Sequence, residues 1–445
     1  MSDEPKTLDP AAATRPAPAP EHPISTPAPL PAPTPDGGRT ARWTLGLVSV
    51  GLVLAALNLR PAITSLGALL EEVSASLHMS GTVAGILTSV PPLCFAIFGI
   101  TAPRLARRFG PAAVVCAGMA AIFTGLLLRP LATGTAGFLA ASALALMGIA
   151  VSNILMPVIV KRYFPDRIGS MTGLYSMALA LGTSLAAALT VPMTDALGGD
   201  WRLGLGVWAV VAALAVLPWL PLVKDRTGTA RTEPGATPGG APKAATTDTA
   251  SASRPMYRSS TAWALACFFG LQATGAYITM GWMPQIFRDS GVPASTAGIL
   301  LAVTMVMGVP LAFVIPRLAT RMRSQGPIVV ALGSCGLIGY TGLFLAPAGG
   351  AWVWAVLLGV SNCSFPLALT MIGMRSRTGA GVVRLSAFAQ SVGYLISIPG
   401  PLLVGVLYQH SGGWGVPIAL MGGLMVPQMI VGTLAGRDRT IEDES

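Results

Sequence analysis

The chain has 445 residues, 53% hydrophobic and only 10% charged, with a mean hydropathy of +0.66. A soluble chain carries about a quarter charged residues, so too little polar surface exists here to cover such an apolar mass in water. The formal charge of +10 sits in short connections between apolar runs, not in a stripe interleaved with aromatics, which argues against a nucleic-acid-binding surface.

In chain order, residues 1–40 are rich in Pro, Ala and Thr, lack an apolar signal core and read as a disordered N-terminal tail. Apolar runs of about 20 residues then predict twelve membrane spans. Six lie near 43–68, 82–103, 111–129, 135–160, 168–193 and 203–221. Six more lie near 261–286, 295–316, 327–346, 350–372, 380–406 and 414–434. Residues 222–259, full of Thr, Ala, Gly and Pro, read as a linker. The expected organisation is a bundle over 41–221, the linker, a bundle over 260–435 and a tail over 436–445. The five cysteines (Cys94, Cys116, Cys267, Cys335 and Cys363) fall in apolar segments without metal-ligand spacing and read as small buried side chains.

The first span carries LNLRPAITS at 57–65. An unpaired guanidinium in lipid costs at least about 3 kcal/mol, and no Asp or Glu lies inside any predicted span. Glu71 and Glu72 stand about 16 Å further along the helix, too far to pair with Arg60. A substrate anion is therefore the expected countercharge for Arg60, whose planar fork of donors suits a carboxylate or similar group. The competing reading is snorkelling, or a bond to carbonyls loosened by Pro61. Asn58 and Thr64 flank Arg60 as further candidate contacts, and Glu71 is a candidate for gating or coupling.

Downstream, Arg104, Arg107 and Arg108 occupy the connection after span 2. Asn153 with Pro157 in span 4, and Asn362 with Pro366 in span 10, read as matched bends at gating helices. Tyr175 and Ser176 in span 5 are weaker candidates. Gln272 and Tyr277 in span 7, and Gln390 and Tyr394 in span 11, are polar groups for which helix packing and ligand contact are both open. Arg384, near the start of span 11, either snorkels to the interface or adds a second charge to the cavity.

Nineteen Lys and Arg residues lie in the connections on one side, against Arg129, Arg202 and Arg288 on the other. The positive-inside bias predicts both termini in the cytoplasm, with the chain in a bacterial-type plasma membrane. The halves also echo each other. TVAGILTSV (82–90) returns as STAGILLAV (295–303), and APRLARRFG (102–110) as IPRLATRMR (315–323). SNILMP (152–157) returns as SNCSFP (361–366), and GLYSMALALG (173–182) aligns loosely with RLSAFAQSVG (384–393). The fold class expected is an all-α polytopic protein of twelve helices in two parallel-repeat six-helix bundles with a cleft between them.

On these residues the chain resembles the major facilitator superfamily from 43 to 434. Gly99, Pro103, Arg104, Ala106, Arg107 and Arg108 fill the positions of its loop motif, with the usual aspartate and second glycine absent. NLRPAITS, APRLARRFG and SNILMP are similar to the cyanate / 2-nitroimidazole transporter branch. The resemblance implies alternating access to a small anionic or polar organic solute, with proton coupling and direction open. An exporter of nitroimidazole-like or other drug-like compounds is the alternative. No cofactor, metal or nucleic-acid partner is expected, nor catalysis, since no nucleotide-binding glycine loop occurs and His22, His78 and His410 fall outside the spans. The partners expected are solute, lipid and, in the coupled case, protons, with the monomer as the working unit.

Overall fold

The computed structural model describes residues 35–224 and 256–444; the expected tail up to residue 34 and most of the expected linker lie outside the described residues. The chain divides at Trp43 and Thr44. Of the first unit only residues 35–43 are described, as helix. The second unit, from Thr44 onward, contains both bundles.

The first bundle is built from α1 (Pro35–Asn58), α2 (Pro61–Ala68), α3 (Leu70–Ser76), α4 (Gly81–Phe109), α5 (Pro111–Leu128), α6 (Thr135–Tyr163), α7 (Ile168–Ala196), α8 (Trp201–Val216) and α9 (Trp219–Lys224). The second comprises α10 (Ser260–Asp289), α11 (Ala294–Val306), α12 (Gly308–Arg321), α13 (Gly326–Leu345), α14 (Ala351–Asn362), α15 (Ser364–Met374), α16 (Gly379–Ser397), α17 (Pro399–Ser411) and α18 (Gly415–Ala435). Among the described residues, eleven helical segments are long and apolar enough to cross a bilayer. The sixth expected crossing is interrupted at Leu217–Pro218 into α8 and α9, where proline removes a ladder donor.

Local chemistry sets the helix starts. Ser80, Ser259 and Thr378 each accept a backbone amide from the first turn of α4, α10 and α16. Proline opens α2, α5 and α17, where its missing N–H costs nothing. The last turn of α17 closes on Gly412 in the left-handed region, φ 66°.

The sequence repeat does not extend to the backbone. Helices α4, α6 and α7 run unbroken, whereas their counterparts are interrupted at Met307, Cys363 and Ile398. The interruption at Cys363 has a visible cause. Pro366 offers no N–H to the Asn362 carbonyl four residues back, and Gln272 Nε2 takes that place, donating to the carbonyl at 3.1 Å and to the Asn362 Oδ1 at 2.8 Å. In the first bundle the matched Asn153 instead accepts the Tyr175 hydroxyl, and α6 continues through Pro157.

The bundles approach most closely toward the end that carries Glu71 and Arg288. A Cβ on Gly85 would lie 2.9 Å from the Leu402 carbonyl, and one on Gly81 2.8 Å from the Gly405 carbonyl. A Cβ on Gly298 would lie 2.5 Å from the Ala187 carbonyl, and one on Gly67 would overlap the Met280 carbonyl. Small residues let helix backbones pack this closely without a hydrophobic driving force in lipid. At the opposite, arginine-bearing end, Gly173 meets Phe313 only at an ordinary 3.9 Å.

The segment expected as a tail, 436–445, folds back onto the second bundle. A turn at Ile441–Glu444 brings Glu444 to the start of α10, where it accepts from Ser259, Ser260 and Thr261 hydroxyls at 2.6–2.7 Å. Glu442 accepts from Ser376 at 2.6 Å, and Asp443 pairs with Arg377.

Candidate functional site

A cavity of about 270 Å³ lies between the bundles. Arg60, Ser176 and Thr183 border it from the first bundle, and Tyr277, Asn362 and Tyr394 from the second. Three helix interruptions, at Leu59–Arg60, Met307 and Cys363, fall at its wall. Irregular backbone at membrane depth is tolerated where it lines such a space.

Arg60 is placed by the break that Pro61 starts. Its own carbonyl accepts the amides of Ile63 and Thr64, at 2.9 and 3.1 Å, and the Thr64 hydroxyl at 3.2 Å. The guanidinium lies 6.0 Å from the centroid of the Phe95 ring and interacts with the Tyr277 hydroxyl. Among the described residues no carboxylate is ion-paired with it, and it is the one charged side chain bordering the cavity. Tyr277, Phe365 and Tyr394 bring aromatic rings to the wall, with Phe95 and Phe269 buried behind them. Phe95 stacks on Tyr394 at 5.0 Å, Phe269 meets Tyr394 edge-on at 5.2 Å, and Phe365 lies 5.6 Å from Phe269.

The structure therefore brings together Arg60, Tyr277, Tyr394, Asn362 and Pro366 at one cavity. The other candidate contacts stand apart from it. Asn58 is buried and donates to the Leu54 and Val211 carbonyls at 2.8 and 3.3 Å. Thr64 is fully buried with its hydroxyl on the Arg60 carbonyl. Gln272 is spent on Asn362 and on Gln428, whose amide it accepts at 2.8 Å. Gln390 donates to Ser386 at 2.7 Å, and Arg384 is exposed near the start of α16. Arg104, Arg107 and Arg108 are exposed on the final turns of α4, where cations complement the helix dipole.

Glu71 and Glu72 meet a partner that sequence reasoning missed. Arg288, at the far end of α10, pairs with Glu71 at 2.9 Å and with Glu72 at 2.8 Å, and donates to the Ala68 carbonyl at 3.3 Å. This latch joins the first bundle to the second. Asp289 beside it accepts from Tyr408 at 3.0 Å and Trp414 at 2.7 Å. A hollow bordered by Glu71, Ala84, Gln285 and Tyr408 adjoins the latch.

Two further arginines are buried for reasons of scaffold. Arg129 donates to the Ala62 carbonyl at 2.7 Å and to Ser142 at 2.9 Å, tying α2 to α6. Arg375 holds the Ala435 and Gly436 carbonyls at 3.0 Å each, closing the last turn of α18 with a cation. Both lie in connections by sequence, where nothing local marks them as buried.

Comparison with known proteins agrees with this architecture. The model of the Major Facilitator Superfamily matches residues 48–377. An uncharacterized transporter of Bacillus subtilis (strain 168) is 35% identical over 88% of this chain and 94% of its own. The 2-nitroimidazole transporter of Escherichia coli (strain K12) is 30% identical over 88% of this chain and 95% of its own. The cyanate transport protein of the same strain is 28% identical over 84% and 94%. The chain is a multi-pass membrane protein that belongs to the major facilitator superfamily of alternating-access transporters.

Proposed function

We propose that the chain is a secondary transporter of a small organic anion, held between the bundles by Arg60. The observation that carries this reading is a guanidinium at the cavity wall with no carboxylate paired to it among the described residues. Cargo would supply the missing charge and offset the cost of keeping the cation out of water. Tyr277, Tyr394 and Asn362 would orient the rest of the molecule. Similarity to the cyanate transport protein supports an anionic cargo.

The bias of basic residues supports an assignment of the arginine-bearing end and both termini to the cytoplasm. On that assignment the Glu71–Glu72–Arg288 latch is the outer gate and the cavity faces inward. Asn153 with Pro157 and Asn362 with Pro366 serve as the flexing points. No Asp or Glu borders the cavity among the described residues, so a coupled proton would travel through the latch carboxylates or on the solute. Both bundles reside in one chain, and the monomer is the working unit in a bacterial-type plasma membrane.

A second reading, export of nitroimidazole-like compounds, is favoured by the apolar part of the wall and by the 2-nitroimidazole relative. Counterflow in proteoliposomes separates the two. The anion reading expects exchange of radiolabelled small carboxylates that is lost in Arg60→Ala. Exchange of neutral nitroimidazoles alone, untouched by that substitution, would overturn it and favour export. Repeating uptake with and without a pH gradient reads the coupling.

A further inference from the structure

We infer that the cargo is a planar aromatic monocarboxylate, its charge on Arg60 and its ring along the wall formed by Tyr277, Tyr394 and Phe365. This inference rests on the anion reading above and narrows it. Three features of the cavity carry it.

The first is size. A triatomic anion displaces about one or two waters, at ~30 Å³ each, whereas the cavity holds about 270 Å³. Most of that space would stay filled with water against Leu179, Met280, Met305, Phe365 and Leu369. A small ion would fill a fraction of that space and leave the apolar side chains of the wall facing water. An aryl ring instead buries those side chains, and the two methionine thioethers adapt to ring edges.

The second is the position of the cation. The guanidinium borders the same cavity as the rings of Tyr277, Tyr394 and Phe365, with buried Phe95 and Phe269 backing Tyr394 at centroid distances of 5.0 and 5.2 Å. A carboxylate on Arg60 therefore projects its substituent along an aromatic face, where offset or edge-on ring contact is favourable. The third is charge count. Among the described residues Arg60 is the one cation bordering the cavity, so a second carboxylate on the solute would be buried without a partner.

Equilibrium binding to the detergent-purified full chain tests the inference, with a thermal melt confirming that each protein is folded. Benzoate is the probe, against cyclohexanecarboxylate, acetate, cyanate, phthalate and benzamide. Benzoate should bind at least tenfold more tightly than acetate, cyanate or phthalate. It should also bind about three- to tenfold more tightly than cyclohexanecarboxylate, the range that aromatic contact supplies. Phe365→Leu, or the milder Phe365→Met, should erase the second difference while leaving acetate unchanged.

Acetate or cyanate binding as tightly as benzoate, with all three lost in Arg60→Ala, would overturn the aromatic assignment and leave the anion reading standing. Benzamide binding as tightly as benzoate, with both indifferent to Arg60→Ala, would overturn the anion reading beneath it. A folded wild-type protein that does not bind benzoate would overturn the inference outright.

Discussion

Arg60 and Arg129 show how the same side chain takes opposite parts at membrane depth. Arg129 is fully buried and spends two donors on Ala62 and Ser142, so its removal deletes two buried hydrogen bonds. Charge-assisted bonds of this kind contribute about 1.5–3 kcal/mol each, and Arg129→Ala should lower the melting temperature of the purified protein by several degrees. Arg60 is only partly buried and leans on a ring and a phenol. Arg60→Ala should leave the melt of the empty protein unchanged or slightly raised. Its loss should appear in binding, as a roughly ten- to hundredfold weakening of the anion, corresponding to about 1.5–3 kcal/mol. Arg60→Lys should recover only part of this, because an ammonium keeps the charge but not the fork. A melt of Arg60→Ala as depressed as that of Arg129→Ala would assign Arg60 to the scaffold.

Among the helices, the latch and the glycine contacts decide which end is shut. Arg288 is partly buried between two glutamates of the other bundle, and deleting it leaves two like charges side by side. Arg288→Ala should open that end, read as a several-fold faster reaction of Ala84→Cys with a membrane-impermeant maleimide. No change in rate would leave closure to the glycine packing alone. Gly85→Leu tests that packing, since even a Cβ there meets the Leu402 carbonyl at 2.9 Å; it should produce the same increase with the latch intact.

The C-terminal turn adds a pH-sensitive contact at the opposite end. Partial burial alone would raise the Glu444 carboxyl, but hydrogen bonds from Ser259, Thr261 and Ser260 outweigh it and hold the group below its ordinary range. A depressed carboxyl contributes stability above its unfolded pKa of about 4.3 and loses it as the pH falls through the folded value. Glu444→Gln should therefore lower the melting temperature at pH 7, with the difference shrinking below about pH 4. A difference constant across that window would remove the carboxylate from the account.

At the scale of the molecule, spans and repeat were legible because lipid demands long apolar helices and the two halves retain matching motifs. Arg60 was conspicuous for the same reason, as a charge stranded in an apolar run. Arg288 was not, because it sits at a helix end among ordinary loop charges and meets its partners 216 positions away. Phe365 reads as a generic apolar residue until the fold sets it in the cavity wall with Tyr394. The break at Cys363 is announced by Pro366, but the donor that answers the freed Asn362 carbonyl is Gln272, 90 positions away. Gln272 looked available in sequence because its acceptor lies on another helix, and Asn58 although one of its acceptors, the Leu54 carbonyl, is in its own helix.

Paired spin labels at both ends of the protein test the central claim, that an anion on Arg60 lets the bundles rock. One pair, Thr172→Cys with Thr320→Cys, spans the arginine-bearing end; the other, Ser76→Cys with His410→Cys, spans the latched end. Both would be built with Cys267 and Cys335 replaced by alanine. Adding the transported anion should shorten the first distance and lengthen the second in a protein retaining Arg60, and change neither in Arg60→Ala. Equal shifts with and without Arg60, or distances that never respond to the anion, would contradict the account.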